Sequence, residues 1–254
     1  MTIELTGTQP DPVRRHVLPG LHNLRDVGGY PAQSGVTRWG RLFRSDALHG
    51  IDEAGRARLG ELGIAHVVDL RGAEERRRQP SSLAGVPLQI HELPVFDEAA
   101  PPAQLAQGID LAAIYDHIVD HRASVLADAI RVIARAGDGE AVLVHCTAGK
   151  DRTGLVIAFA LLAAGVDRDA VVADYALTAR YLAGAWADAM LASLRRGGVE
   201  LSAAMVELVT ASPAPVLEQL LERVDREHGS PVALLQRHGL TFGEIDRLTA
   251  ALVS

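Results

Sequence analysis

The chain has 254 residues, 48% of them hydrophobic and 22% charged, with a formal net charge of -7 at pH 7. That length fills one domain, or one domain with a small cap, and the acidic balance argues against nucleic acid as a partner, which calls for a basic face. A single cysteine excludes an intrachain disulfide framework and a cysteine-rich zinc site, and no run of eighteen apolar residues marks a membrane span.

In chain order, residues 1–15 read as a flexible tail. Met1 to Asp11 is polar and has no charged and apolar regions of a secretory leader, so the cytoplasm is the default compartment, with leaderless export left open. Glycines at 28, 29, 35 and 40 punctuate short apolar or β-branched groups, the pattern of small strands and turns. Ile51 to Leu62 reads as a short helix closed by Gly63, and Ile64 to Leu70 as a buried strand. The charged run Glu74 to Arg78 reads as a solvated helix face. Gln89 to Val95 is a further strand, followed by Phe96-Asp97-Glu98 and a Pro-rich loop. Helical spacing recurs over Ile109 to Val119 and again over Val125 to Ile133, where Gly137-Asp138-Gly139 ends the second helix. Ala141 to Val144 is an apolar strand, and from Thr153 to Leu162 a helix is apolar all round, hence central. Beyond about Tyr175 only helical patterns remain. The expectation is an α/β fold: a mostly parallel central sheet flanked by helices, with a C-terminal helical extension, forming a single domain over residues 16–254.

Between that strand and that central helix lies His145-Cys146-Thr147-Ala148-Gly149-Lys150-Asp151-Arg152-Thr153-Gly154. A loop that opens into a helix N-terminus turns several backbone N–H groups toward one point, and the helix dipole adds positive potential there. Such a place binds the oxygens of a phosphoryl group at residues 147–152 and favours the thiolate form of Cys146. Gly149 lets the loop turn where a side chain would obstruct the ligand. Arg152 can clamp two oxygens with its planar fork, Thr153 can donate toward the sulfur, and His145 orients the loop. A lone cysteine is ordinarily a small buried hydrophobe. Yet His-Cys-x-x-Gly-x-x-Arg arises by chance in only roughly a few chains of this length per ten thousand at average usage. The 25 basic residues also include one lysine, Lys150, and it falls inside this loop. A nucleotide-binding G-x-x-x-x-G-K-[ST] loop does not fit, because Val144 and Asp151 stand where Gly and Ser or Thr are needed. Asp69 and Arg71, at the end of a strand, are expected to face the same crevice in a supporting role.

The loop resembles that of the Cys-x5-Arg protein tyrosine phosphatase superfamily, and more closely a bacterial branch with tyrosine and phosphoinositide phosphatase activity. Asn23-Leu24-Arg25-Asp26-Val27-Gly28-Gly29-Tyr30, Leu42-Phe43-Arg44-Ser45-Asp46, Val67-Val68-Asp69-Leu70-Arg71 and Ala173-Asp174-Tyr175 carry the resemblance further, over most of residues 20–175. It implies a cysteine-dependent phosphomonoester hydrolase working through a phosphocysteine, with Cys146 as nucleophile and no metal or other cofactor. Its partners would be phosphorylated proteins or phosphoinositides. The general acid would be Asp151, with Asp97 as the alternative. The branch also implies that a helical pair over 176–212 is a candidate lid, against ordinary core packing of two helices. The competing reading is a catalytically weak module that binds phosphotyrosine or inositol phosphates. Sulfur or arsenate chemistry at the same cysteine is a third.

Overall fold

The structure, a computed structural model, describes residues 13–96 and 110–254. Its elements follow one another as β1 (Arg25–Asp26), β2 (Pro31–Ala32), β3 (Gly35–Val36), β4 (Leu42–Ser45), α1 (Glu53–Glu61), β5 (Ile64–Asp69), α2 (Ala73–Arg78), β6 (Gln89–Glu92), α3 (Leu111–Arg135), β7 (Ala141–His145) and α4 (Asp151–Ala163). The remaining elements are all helices: α5 (Arg168–Leu182), α6 (Ala185–Arg196), α7 (Ala203–Thr210), α8 (Ala214–His228), α9 (Pro231–Arg237) and α10 (Phe242–Leu252).

Five strands form one sheet in the order β1-β4-β7-β5-β6, and β2 with β3 makes a separate hairpin. Only β1 runs antiparallel to its neighbour; β4, β7, β5 and β6 are parallel. Alternating side chains of the central strands reach opposite faces, as strand geometry requires. Leu42, Val68, Val142 and Val144 join the large core with α3, α4 and the C-terminal helices. Phe43, Val67, Ala141 and Leu143 join a smaller core with Leu59 of α1 and with Leu48 and Ile51. Both faces are therefore covered, which is the usual condition of a parallel sheet. No described helix is long and apolar enough to cross a membrane.

The sequence pattern predicts two helices where the structure has one, the 25-residue α3. Asp110 caps its start by accepting a hydrogen bond from the Ala113 N–H at 2.7 Å. The polar stretch Asp120-His121-Arg122 contains no Gly or Pro to stop the helix. Ala123, fully buried, continues the apolar stripe from Val119 to Leu126 and Ala127. Arg14 and Arg15 belong to the segment expected to be a tail, yet the Arg14 carbonyl accepts from Asp26 N at 2.9 Å. The Arg14 guanidinium also lies 4.0 Å from the Tyr30 ring centre.

Candidate active site

β7 ends at His145 and α4 begins at Asp151, so residues 146–150 are the turn between the buried strand and the central helix. The turn is tight because Gly149 has φ +65°, and a Cβ there would lie 2.1 Å from the Ser45 carbonyl oxygen. Only glycine fits that conformation and that approach. Cys146 is 2% exposed and free of any disulfide.

Arg152 extends from the first turn of α4 and is clasped by Glu75 of α2. Its Nη1 and Nη2 donate to Glu75 Oε2 and Oε1 at 2.7 and 2.8 Å, and Nη2 also reaches Thr147 Oγ1 at 3.3 Å. Its Nη1 also lies 3.4 Å from the Leu70 carbonyl oxygen, so both terminal nitrogens are engaged by the protein. Burial alone would ease the proton off Arg152, but Cys146 and Glu75 hold its pKa above the ordinary arginine value. Burial likewise pulls the Glu75 carboxyl upward, and the two bonds from Arg152 overcome it, leaving the pKa at about 2. The charged run containing Glu75 is thus not wholly a solvated face. Glu74 pairs with Arg77 and Arg78 at the surface, whereas Glu75 turns inward, accepting from Gly72 N at 3.0 Å and from the Thr147 hydroxyl. Spacing could have pointed to Glu75, since it stands at the third position of a helix that follows the Asp69-Leu70-Arg71 strand end.

Asp151 accepts a hydrogen bond from the Tyr115 hydroxyl at 2.8 Å, and Tyr115 in turn shares one with Tyr175 at 2.7 Å. Burial, with Asp151 and Tyr175 beside it, keeps the Tyr115 phenol well above its ordinary pKa, so it stays a neutral donor. Lys150 is 3% exposed, and its Nζ lies 3.3 Å from Asp151 Oδ1. The same amine donates to the carbonyls of Leu208 and Ala211 at 2.8 and 2.9 Å, at the C-terminus of α7. Asp97 lies outside the described residues. Phe96, just before it, places its ring centre 5.9 Å from the Arg152 guanidinium carbon.

His145 and Thr153 are fully buried, and His145 Nε2 and Thr153 Oγ1 have no hydrogen-bond partner among the described residues. Burial lowers the His145 pKa; the Asp69 carboxylate 3.6 Å away opposes that effect without reversing it, so the ring stays neutral. Its Nδ1 sits 3.2 Å from the Cys146 carbonyl oxygen. Asp69 and Arg71 pair with each other at 2.7 Å, and Arg71 also donates to Gln79 O and Ser81 Oγ beyond α2. They brace the end of β5 and the helix that carries Glu75.

Residues far apart in sequence hold the outer side of the loop. Asn23 Nδ2 donates to the carbonyls of Ala148 and Gly149 at 3.0 and 3.1 Å, and Arg44 Nη2 donates to Gly149 O at 2.8 Å. Arg25 and Arg44 both pair with Asp174 of α5, at 3.0 and 2.7 Å, and all three side chains are buried. Beside Thr147 opens a cleft of about 390 Å³, lined by Trp186 and Met190 of α6 and by His22, His49 and Gln79 among others. Among the described residues no group of three or more His, Cys, Asp or Glu side chains could hold a metal ion.

A sequence profile described as "Tyrosine phosphatase family" matches residues 16–254. Over 187 residues the chain is 36% identical to the "Triple specificity protein phosphatase PtpB" of Mycobacterium tuberculosis, covering 62% of this chain and 67% of that protein. Over 147 residues it is 33% identical to a "Tyrosine-protein phosphatase" of Nostoc commune, covering 56% of this chain and 50% of that one. A solved structure of P. aeruginosa TpbA in complex with pTyr superimposes with a TM-score of 0.39 at 20% identity, over 75% of this chain and all of that one.

Proposed function

The chain belongs to the tyrosine phosphatase family, and from that premise we propose that it hydrolyses phosphomonoesters through a phosphocysteine formed on Cys146. The observation that carries the reading is the convergence of Cys146, in the turn after β7, with the buried Arg152 at the N-terminus of α4. In the first step the Cys146 sulfur attacks phosphorus in line, the S–P bond forms and the ester P–O bond breaks. Asp151 gives its proton to the departing oxygen. Water then attacks the phosphocysteine, passing a proton back to Asp151, and the S–P bond breaks to release phosphate and the thiolate. Arg152 and the loop amides of residues 147–152 stabilise the charge on the equatorial oxygens. Asp151 serves as the acid in this scheme because its carboxylate stands on the first residue of α4, directly after the turn that carries Cys146, steered by the Tyr115 hydroxyl.

The substrates we assign are phosphotyrosine proteins and phosphoinositides, a range that the triple specificity of the M. tuberculosis relative supports. The cleft beside Thr147, with Trp186 and Met190 on its wall, is the seat for the group that bears the phosphate. Helices α6 and α7 lie within the segment 176–212 that we read as a lid, because Lys150 of the loop holds the end of α7. The protein would act in the cytoplasm. One assay tests the central claim: hydrolysis of p-nitrophenyl phosphate that vanadate inhibits and that Cys146→Ser abolishes. A wild-type protein that binds vanadate but does not turn the ester over would be a binding module instead.

A further inference from the structure

We propose that Asp174 of α5 is a positioning residue for phosphate binding, acting on the loop through two buried arms that never meet the substrate. The first arm runs through Arg44. Its Nη1 is fixed on Asp174 Oδ2 at 2.7 Å, which leaves Nη2 to donate to the Gly149 carbonyl at 2.8 Å. The second runs through Arg25 and Asn23. Arg25 is held on Asp174 Oδ1 at 3.0 Å, on the Asp174 carbonyl at 2.9 Å and on Thr178 Oγ1 at 2.8 Å, and it donates to Asn23 Oδ1. That last bond settles which way the Asn23 amide points. With its oxygen engaged by a guanidinium, Asn23 can present only its NH₂ to the loop, where it donates to Ala148 O and Gly149 O.

The physical consequence lies in the peptide planes. A peptide is planar, so a carbonyl drawn outward by a donor sends the following N–H the other way. Fixing the carbonyls of residues 148 and 149 from behind therefore aims the N–H groups of Gly149 and Lys150 to the opposite side, toward the anion. The strand-side donors Asn23 and Arg44 could not do this without Asp174, because two guanidiniums buried side by side repel each other and need a shared counter-charge. Arg25, Arg44 and Asp174 are each at most 1% exposed, so water cannot supply it.

The experiment reads anion binding, which needs no turnover and so stands or falls apart from the phosphatase reading. Tungstate, a tetrahedral oxyanion, is titrated by calorimetry into the full chain and into Asn23→Leu, Asp174→Asn and the double variant, with thermal melting in parallel. Asn23→Leu keeps size and neutrality but removes the donor, and should weaken tungstate about tenfold. Asp174→Asn should weaken it at least as much, and the double variant should lose no more than Asp174→Asn alone, since both changes cut the same arm. Tungstate affinity that is unchanged in folded Asn23→Leu would overturn the proposal, as would fully additive losses in the double variant. If Asp174→Asn does not fold, the decision passes to Asn23→Leu together with Arg44→Lys, which keeps the charge but cannot bridge Asp174 and Gly149 O at once. Undiminished binding in either folded variant counts against the assignment.

Discussion

Replacing Glu75 by Gln tests whether Arg152 is a prepared clamp or an arginine that substrate itself must arrange. The change keeps the side-chain shape and one acceptor oxygen, but turns an NH₂ toward one arm of the guanidinium and removes the counter-charge. The size of the effect follows from the ion pair. The Glu75 carboxyl falls from its usual 4.5 to about 2 in the folded protein, which at about 1.4 kcal/mol per pH unit corresponds to roughly 3 kcal/mol. Because the folded value is the lower one, that stability is complete above pH 4.5 and disappears as the pH falls toward 2. Glu75→Gln should therefore lower the stability at pH 7 by roughly 2–3 kcal/mol and flatten the acid limb of the stability curve. The kinetic effect separates differently. Losing a charge-assisted bond that orients Arg152 should cost kcat between about tenfold and a hundredfold. KM for p-nitrophenyl phosphate should hold or fall, because a negative charge next to the anion site has gone. Steady-state kinetics and urea titration at pH 7 and pH 4 measure both. An unchanged kcat with a raised kcat/KM would refute the reasoning, and would make Glu75 a competitor of the substrate.

Asp151→Asn should reduce turnover of a substrate with a poor leaving group at least tenfold, and Asp97→Asn much less; paired kinetics with the opposite ranking would move the acid to Asp97. Gly149→Ala forces a Cβ to within 2.1 Å of the Ser45 carbonyl at φ +65°, so activity should vanish and the melting temperature should drop by several degrees, since the strained backbone alone costs about 1–2 kcal/mol. Burial lowers the pKa of His145, and of His16, His49 and His91 as well. Stability from these rings is present above pH 6.5 and lost on acidification, so the urea midpoint should be lower at pH 5.5 than at pH 7.5; a rise would contradict the neutral ring beside Cys146. Lys150→Met, which removes the amine from the Leu208 and Ala211 carbonyls, should speed cleavage at Gly197-Gly198 in limited proteolysis, and tungstate should alter the digestion of the unmodified chain. Identical digestion in all three samples would argue against a lid.

The parts of the site visible in the sequence are those whose chemistry is local. A four-residue apolar strand, a cysteine, five loop residues, an arginine and a helix apolar on every side lie within one stretch, and Leu155 to Leu161 are indeed buried all round. Charged residues that act from a distance were hidden by the same rules. Glu75 sits in a run that by composition belongs in water, and in the sequence only its capping-box position, third in the helix, sets it apart from Glu74. Asn23, Arg44 and Asp174 come from three segments up to 151 positions apart, and nothing in spacing brings them together; it takes the sheet order to do so. The long helix α3 escaped for a different reason. Its stripe passes through a single alanine, too small to register as an apolar position yet sufficient to fill the contact.

Lys150 shows how the structure changes the meaning of a sequence signal. As the one lysine among 25 cations it marks a position where an arginine would not serve. Its ammonium donates to two carbonyls and lies 3.3 Å from the Asp151 carboxylate. A planar fork presents its donors in one plane and is too broad for that site. The carbonyls are the unpaired ones at the end of α7, where a cation also meets the negative end of the helix dipole.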